Sequence, residues 1–514
     1  MFLNYLPLLL HCSSPPAFYF ICYIYIYNKL SYIVYVIYLL HHCLFLSGNI
    51  YIIYTYIMSN SNSRVTVLSK LTTVSSRPVG PDHTHSFTAL DHAMGLHSLH
   101  IIFYFKDNIL NDFDLDHSRV SLSETLSLYP QVTGRLTRDE NGNWAVKCND
   151  AGVRVVKALV GTTLDEWLSS ADMLEEKDLT VWDDMPDDPS TWSPFRVQVS
   201  EFEGGGLAIG LSCTHMHADP TSATILLNSW TQVHRRQPIT HPPFYSPPKL
   251  HLRPVTNLQT QSATFYETKS KQPMQCTVQM ASATFRFSHA TIKQLLLEIH
   301  EKCPDATPFD VLAALFWSRV ARLKAGKNND QRRSLTVCVD FRKLLRPPLP
   351  VGYYGNALHF SQLSLGSEEM EGCGLGHVAE RLHHHMSRIE EEEEILSAME
   401  WLESRKDEET GKLAAPFRMY GPELTCVNME HMIVKSGPTG NEYTAMFDED
   451  AGPVHVSYNV GNVEGEGLIM VMPGPEEGLG RTVTVTLPSK QLGELCEDEA
   501  VLGLHPKLLL SGRH

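Results

Sequence analysis

From residue 58 onward, short apolar runs alternate with segments in which apolar residues recur every three or four positions. The first pattern indicates buried strands, and the second indicates helices that pack one face on a sheet. Alternation of the two predicts an α/β fold. The clearest predicted strands cover 100–105, 196–200, 207–213, 335–340, 467–472 and 482–487, and the clearest predicted helices cover 117–129, 220–236, 290–302, 309–324 and 376–406.

One segment, residues 237–275, has little periodicity and carries two Pro-Pro pairs, at 242–243 and 247–248. Proline-rich sequence without periodicity is typical of a connection between domains. We therefore predict an N-terminal domain over 58–236, a crossover over 237–275 and a C-terminal domain over 276–514.

Residues 1–57 differ from the rest of the chain. Lys29 is the one charged residue in this segment, which also holds more than half of the chain's 20 tyrosines. Residues 31–57 are long and apolar enough for a membrane span, but a span usually keeps its tyrosines near the ends. Alternating Ile and Tyr is also what an AT-rich untranslated region would encode. We prefer the interpretation that Met58 is the initiator and that 1–57 is a gene-model extension; the alternative is a membrane anchor.

The charge and the cysteine content exclude some classes of function. The chain has 514 residues and a formal net charge of −16, and it has no broad basic stripe. This balance argues against nucleic-acid binding. The 11 cysteines are scattered, with no Cys-x-x-Cys pair, which is typical of a reduced, intracellular protein.

The segment His215-Met216-His217-Ala218-Asp219 carries the candidate chemistry, because it connects a predicted strand directly to a predicted helix. A neutral imidazole has a pKa near 6.5 and accepts a proton at cellular pH. His215 could therefore deprotonate an alcohol or amine that attacks an acyl carbon. Asp219 could orient the imidazole, or it could cap the helix that Pro220 begins. On spacing alone, a structural histidine is at least as consistent with the sequence as a catalytic one.

Other chemistries have less support. His215 and His217 resemble a metal-binding pair, but no third ligand is evident, so we predict no metal site. There is no Gly-x-Ser-x-Gly elbow of a serine hydrolase and no phosphate-binding loop. The run of three histidines at 383–385 could bind a metal, but a solvated helix face is the better interpretation, as it is for the glutamates at 390–394.

Several motifs occur together after residue 58. His215-x-x-x-Asp219 after a Gly-Gly-x-Ala-Ile-Gly strand resembles the plant acyl-CoA-dependent acyltransferases of the BAHD family. The other matching motifs extend along nearly the whole remaining chain. They are Leu128-Tyr129-Pro130 with Gly134-Arg135-Leu136, the segment 148–153, Pro308-Phe309-Asp310 to Trp317, Val339-Asp340-Phe341-Arg342 with the prolines at 347–350, and Tyr353-Tyr354-Gly355-Asn356.

The resemblance implies two chloramphenicol-acetyltransferase-like domains with mixed sheets, joined by a crossover loop. A channel between them would admit acyl-CoA from one face and the acyl acceptor from the other. No tightly bound cofactor is implied, acyl-CoA would be a co-substrate, and the residues that bind it are not assigned. His215 would be the general base. Asp219 would point away from the substrate and pair with an arginine, for which Arg342 is the candidate. We expect the chain to be monomeric by itself.

Two features depart from the family pattern. Pro220 stands where the family has glycine, and proline restricts the backbone beside the base. The family's Asp-Phe-Gly-Trp-Gly loop is replaced by Phe447-Asp448-Glu449-Asp450-Ala451-Gly452 before Pro453. Added acids in this loop would not favour a polyanionic co-substrate if they faced the channel.

The departures are similar to one branch of the family, the eceriferum/Glossy-type proteins of plant cuticular wax formation. The segments 90–97, 420–425 and 461–467 also resemble that branch. The branch implies a role in very-long-chain fatty acid elongation, in the cytoplasm or at the cytosolic face of the endoplasmic reticulum. Two functions follow: an acyltransferase with His215 as base, or a non-catalytic accessory protein of the condensing enzyme of the elongase.

Overall fold

A computed structural model describes residues 63–512, except for 81, 111–116, 248–259, 273–277, 325–331, 433–444, 449–451 and 476–477. The predicted extension over 1–57 and the centre of the altered loop over 447–452 lie outside the described residues. Within the described part of the chain, no helix is long and apolar enough to cross a membrane.

The described residues form sixteen strands and fourteen α-helices. The strands are β1 (Val65–Thr73), β2 (Thr84–Ser86), β3 (Ser98–Phe105), β4 (Arg135–Arg138), β5 (Trp144–Lys147), β6 (Val153–Thr163), β7 (Phe195–Glu203), β8 (Leu207–Thr214), β9 (Met280–Phe287), β10 (Arg333–Asp340), β11 (Leu358–Leu365), β12 (Leu424–Asn428), β13 (His455–Val460), β14 (Leu468–Pro473), β15 (Arg481–Pro488) and β16 (Lys507–Leu509). The helices are α1 (Ala89–Ala93), α2 (His117–Leu126), α3 (Pro130–Thr133), α4 (Leu164–Ser170), α5 (Met173–Glu176), α6 (Pro220–His234), α7 (Gln261–Ser270), α8 (His289–Ile299), α9 (Pro308–Leu323), α10 (Ser367–Gly372), α11 (Gly374–Ile389), α12 (Glu392–Ser404), α13 (Ser489–Leu495) and α14 (Glu499–Leu502).

The first sheet has six strands in the order β1-β6-β7-β8-β3-β13. β6 and β7 are parallel, and the other neighbours are antiparallel. Ile209 and Leu211 of β8 pack in one apolar cluster with α2 and α6, whereas Ala208 packs on the opposite face with Trp167 of α4. A strand that is covered on both faces has a continuous apolar sequence, which explains the apolar run that ends at His215.

The second sheet has seven strands in the order β11-β10-β12-β14-β15-β9-β16. β10, β12 and β14 are parallel, and the remaining pairs are antiparallel. Helices α8, α9 and α11 cover one face of this sheet in a single apolar cluster. α9 begins at Pro308 behind a capping box, in which Thr307 and Asp310 each accept a hydrogen bond from the other's backbone N–H. The two mixed sheets are those that the family resemblance implies.

One strand crosses between the two halves of the chain. β13 comes from the second half, but it pairs with β3 in the first sheet, with Tyr458 opposite Ile101. A single apolar cluster contains Ile101 and Trp230 from the first half together with Phe360 and Met470 from the second half. The two sheets therefore share a core, and Asn60–His514 forms one compact unit. The domain boundaries at 236 and 276 stay a prediction.

The predicted strands, and the predicted helices over 220–236, 290–302 and 309–324, are present within a few residues of their predicted bounds. The predicted helix over 117–129 ends earlier, at Leu126. The predicted crossover is not without regular structure, because it contains α7.

The single helix that was predicted over 376–406 is wrong. The chain forms α11 and α12 there, and the helix is interrupted at Glu390 and Glu391. Glu391 leaves the helical conformation, with a ψ of 131°. α11 packs on α9, whereas α12 packs on α7 and α1. Two apolar faces that have different partners require a change of direction, which the helical periodicity does not reveal.

Gly210 in the middle of β8 generates a first prediction. A Cβ atom at this position would overlap the backbone oxygen of Leu179. We expect Gly210→Ala to lower the free energy of unfolding by about 1–3 kcal/mol, because a packed backbone has to move. Gly161→Ala in β6 is the control, since its Cβ would meet no atom closer than 3.7 Å. Denaturant unfolding of both variants measures the difference, and equal stabilities would contradict this account of β8.

Candidate active site

His215 is the first residue after β8, in the turn that connects this strand to α6. Its backbone N–H donates to the carbonyl oxygen of His97 over 2.9 Å. Its own carbonyl oxygen accepts a hydrogen bond from the side-chain amide of Asn356 over 2.8 Å, and the same amide also donates to Asp91. Residues from both halves of the chain therefore hold the backbone of His215 in place.

The imidazole of His215 is completely buried. Its Nε2 lies 3.1 Å from the hydroxyl oxygen of Tyr420, and its Nδ1 makes no hydrogen bond to any other described residue. Burial lowers the pKa of His215 below its usual value, although the carboxylates of Asp219 and Asp91 oppose this change. The ring is therefore neutral at pH 7, which is the form that can accept a proton.

Asp219 does not contact the imidazole; its carboxylate holds other groups. Oδ1 accepts from the backbone N–H of Ser222 over 2.8 Å, which caps the N-terminus of α6. Both oxygens also accept from the guanidinium of Arg342, over 2.9 and 3.0 Å. Oδ2 accepts further from the backbone N–H of Ala357. Of the two roles weighed from the sequence, the helix cap is present, with Pro220 as the first residue of α6, and direct orientation of the imidazole is not. The pairing with Arg342 that the resemblance implies is also present.

Arg342 lies in the loop after β10 and is almost fully buried. Besides Asp219 it contacts the carboxylate of Asp340, the hydroxyl of Ser222 over 2.9 Å and the carbonyl oxygen of Gly355 over 3.0 Å. Burial lowers the pKa of Arg342, but the carboxylates of Asp219 and Asp340 raise it by more. The resulting pKa lies above the ordinary value of arginine. One guanidinium thus connects the start of α6 to the loop after β10 and to the loop before β11.

Thr221 and His431 contact the carboxylate of Asp340, which in turn contacts Arg342. The hydroxyl of Thr221 donates to Oδ2 of Asp340 over 2.9 Å, and it lies 2.7 Å from Nε2 of His431. Burial raises the pKa of Asp340, but Arg342, His431 and the hydrogen bonds together hold the pKa below its usual value. Asp340 is therefore ionised, and the guanidinium of Arg342 lies between two carboxylates.

Asn356 and Tyr420 contact the base, but no role was assigned to either from the sequence. Asn356 ends the motif Tyr353-Tyr354-Gly355-Asn356, and Tyr420 begins the segment 420–425. Each motif contributed to a resemblance, but the spacing of its residues does not predict a chemical role for any of them. The contacts themselves join positions 141 and 205 residues apart, which no local pattern encodes.

His217 is engaged elsewhere. Its Nδ1 lies 2.5 Å from the hydroxyl of Thr214, and its ring packs edge-on against Phe87. Burial lowers the pKa of His217 to about 3. Its contacts are those of a structural residue. Among the described residues, no three histidine, cysteine or carboxylate side chains are grouped as a metal site would need.

The histidine run at 383–385 is only partly a solvated face. His384 is exposed, but Nδ1 of His383 bonds to Asp310 over 2.8 Å and His385 is buried. The solvated interpretation is therefore wrong for His385. Consecutive residues of a helix point in directions about 100° apart, so a run of three cannot all face the solvent side.

The two mixed sheets define the protein as acyltransferase-like, and the buried, neutral His215 lies in its candidate site. The sequence profile of the Transferase family matches residues 63–501. The chain belongs to this family, the BAHD acyltransferases, which transfer acyl groups other than aminoacyl groups.

Relatives of known name share about a quarter of their residues with the chain. A hydroxycinnamoyltransferase of Narcissus pseudonarcissus is 26% identical over 77% of this chain and 90% of that protein. Protein ECERIFERUM 2 of Arabidopsis thaliana is 24% identical over 85% of this chain and 98% of that protein. The chain is therefore similar both to a named transferase and to a protein of the eceriferum group.

Two solved structures have a similar fold. Vinorine synthase superposes with a TM-score of 0.62 at 18% identity, over 86% of this chain and 98% of that one. TRI101 of F. graminearum, complexed with coenzyme A and T-2 mycotoxin, superposes with a TM-score of 0.63 at 14% identity, over 82% of this chain and 98% of that one. These likenesses establish the two-sheet architecture.

The buried pair of Asp219 and Arg342 generates a second prediction. We expect Arg342→Met to lower the free energy of unfolding by about 3–5 kcal/mol, because two buried carboxylates lose their positive partner. The control is Arg236→Met, because Arg236 forms an exposed pair with Glu124 over 2.7 Å and should cost at most about 1 kcal/mol. Urea unfolding measures the free energy of unfolding of both variants. Similar losses in the two would contradict the conclusion that Arg342 stabilises the site through a buried ion pair.

Proposed function

We propose that this chain transfers an acyl group from acyl-CoA to an alcohol or amine, with His215 as the general base. The observation that carries the proposal is the buried, neutral imidazole of His215, whose backbone His97 and Asn356 hold in the turn after β8. A general base has to lie about 2.6–3.2 Å from the atom that it deprotonates. The named activity of the hydroxycinnamoyltransferases and the coenzyme A in the TRI101 complex support acyl-CoA as co-substrate.

In the proposed reaction, Nε2 of His215 takes the proton of the acceptor as its oxygen or nitrogen attacks the thioester carbonyl. The tetrahedral intermediate collapses, the carbon–sulfur bond breaks, and the imidazolium returns the proton to the CoA thiolate. Asp219 remains bound to Arg342 throughout. Its charge and that of Asp91 stabilise the transient imidazolium, because both act to raise the pKa of His215. Asn356 keeps the backbone of His215 in position.

The acyl groups in this proposal are very-long-chain fatty acyl groups of cuticular wax metabolism, handled in the cytoplasm or at the cytosolic face of the endoplasmic reticulum. Support comes from the segments 90–97, 420–425 and 461–467, and from the eceriferum-type relatives. Besides ECERIFERUM 2, Protein ECERIFERUM 26-like of Arabidopsis thaliana is 26% identical over 82% of this chain.

A second candidate function is that of a non-catalytic accessory protein of the elongase condensing enzyme. Two observations favour it. His215 is completely buried and its Nε2 is occupied by Tyr420, and the loop over 447–452 lacks the tryptophan and both glycines of the family's Asp-Phe-Gly-Trp-Gly pattern. A protein that acts through contact with an enzyme does not need an open base.

The substitution His215→Ala generates a third prediction. We expect kcat/KM for acyl transfer to fall about 10²- to 10⁴-fold, because a positioned general base contributes a factor of this size. His217→Gln, in the same turn, should keep most of the activity. Steady-state assays with long-chain acyl-CoA and a panel of alcohols and amines measure both variants. If His215→Ala restores long-chain wax in a deficient plant, the accessory function replaces the catalytic one.

The lowered pKa of His215 generates a fourth prediction, for the pH dependence of the rate. The neutral imidazole is the active form, so kcat/KM should rise with pH through the pKa of His215 and then level off. Burial places this pKa below the usual 6.5, and the rise should therefore be complete by about pH 7. If kcat/KM still increases between pH 7 and 9, a group other than His215 is the base.

A further inference from the structure

The hydroxyl of Tyr420 occupies the position that an acceptor hydroxyl needs. It lies 3.1 Å from Nε2 of His215, which is within the range for proton abstraction from a substrate. Tyr420 is almost fully buried, and its ring is tilted by 32° against the imidazole with 5.8 Å between the ring centres. Nε2 has a single hydrogen-bonding position, so the hydroxyl of Tyr420 and that of an acceptor exclude each other.

We propose that Tyr420 is the gate of the acceptor site: its hydroxyl bonds to His215 in the resting protein, and its side chain turns away before the acceptor binds. The proposal rests on the proposed function of His215 as general base. It makes Tyr420 a residue that controls access to the base, while the proton still moves from the acceptor to Nε2.

The backbone around Tyr420 restricts the movement to the side chain. Gly421 has a φ of +95°, and a Cβ there would lie 2.6 Å from the backbone oxygen of Glu464. The carbonyl oxygen of Pro422 accepts from the backbone N–H of Glu466 over 2.7 Å. Glu423 is tied to Lys269 by a buried ion pair. The segment that follows Tyr420 is therefore fixed, and opening requires rotation of the ring.

The surroundings of the ring contain an unused hydrogen-bond acceptor. Tyr420 packs edge-on against Phe360 and against His97, with 5.5 and 5.0 Å between ring centres. Nδ1 of His97 donates to the carbonyl oxygen of Gly461, which leaves Nε2 as a lone pair, and this atom is buried without a partner among the described residues. A buried acceptor without a partner costs stability. A hydroxyl in the opened site, from the ligand or from Tyr420, would remove that cost.

Tyr420→Phe tests the gate, because it keeps the ring and removes the competing hydroxyl. A hydrogen bond that has to be broken before the acceptor binds lowers its apparent affinity by roughly 2- to 10-fold. We expect Tyr420→Phe to raise kcat/KM for the acceptor by about this factor and to leave KM for acyl-CoA unchanged. The matched control is Tyr129→Phe, which removes a buried hydroxyl bonded to Ser229 over 2.8 Å and should change neither constant.

A lower kcat/KM in Tyr420→Phe would overturn the gate, because the hydroxyl would then assist the reaction. An unchanged value would overturn it as well, since the hydroxyl would not compete with the acceptor.

A second measurement separates the gate from the proposed function. Diethyl pyrocarbonate modifies accessible neutral imidazoles, and mass spectrometry of the peptide quantifies the modification at His215 and at His217. We expect slow modification of His215 in the wild type and several-fold faster modification in Tyr420→Ala, with His217 unchanged. Faster modification in Tyr420→Ala without turnover in any variant would show that Tyr420 covers His215, but it would reject the catalytic function and the acceptor gate that rests on it. Turnover in the wild type with no gain in either Tyr420 variant would reject the gate alone.

Discussion

The buried ion pair between Asp219 and Arg342 is the interaction on which the rest of the site depends. Arg342 comes from the loop after β10, and Asp219 caps α6, so two hydrogen bonds connect elements of both halves. Neither charge is exposed to water, and each one therefore needs the other. Ser222, Gly355 and Ala357 satisfy the remaining polar atoms of the pair. The turn that carries His215 is positioned as a consequence.

The same pair leaves the imidazole of His215 without a hydrogen-bonded carboxylate. The Asp219 carboxylate is fully used by Arg342 and by the backbone, so it does not hold the imidazole as the acid of a hydrolase triad does. His215 is instead positioned through its own backbone, by His97 and Asn356, and it is kept neutral by burial. Tyr420 contributes to that burial, because its hydroxyl lies beside Nε2 of His215. We propose that its side chain turns away before the acceptor binds.

Local sequence patterns were sufficient for most of the fold and for one part of the site. The apolar run before His215 and the Asp219-Pro220 start of α6 follow from propensity and capping, and both are present. Arg342 came from the family resemblance, since 123 residues separate it from Asp219. Asn356 and Tyr420 were missed because they lie 141 and 205 residues from His215 in the chain, and no local pattern reveals their contacts with it. The break at Glu390 and Glu391, and the pairing of β13 with β3, were missed because both depend on tertiary packing.

We propose that an acyl-CoA-dependent transferase site surrounds His215 and opens at Tyr420. A crystal structure of the protein bound to a long-chain CoA thioether, which cannot transfer its chain, would test both parts of this proposal. We expect the thioether sulfur to lie beside the imidazole of His215, Tyr420 to have turned away from Nε2, and Asp219 still to bind Arg342. A bound analogue remote from His215, with the contact between Tyr420 and His215 intact, would contradict it.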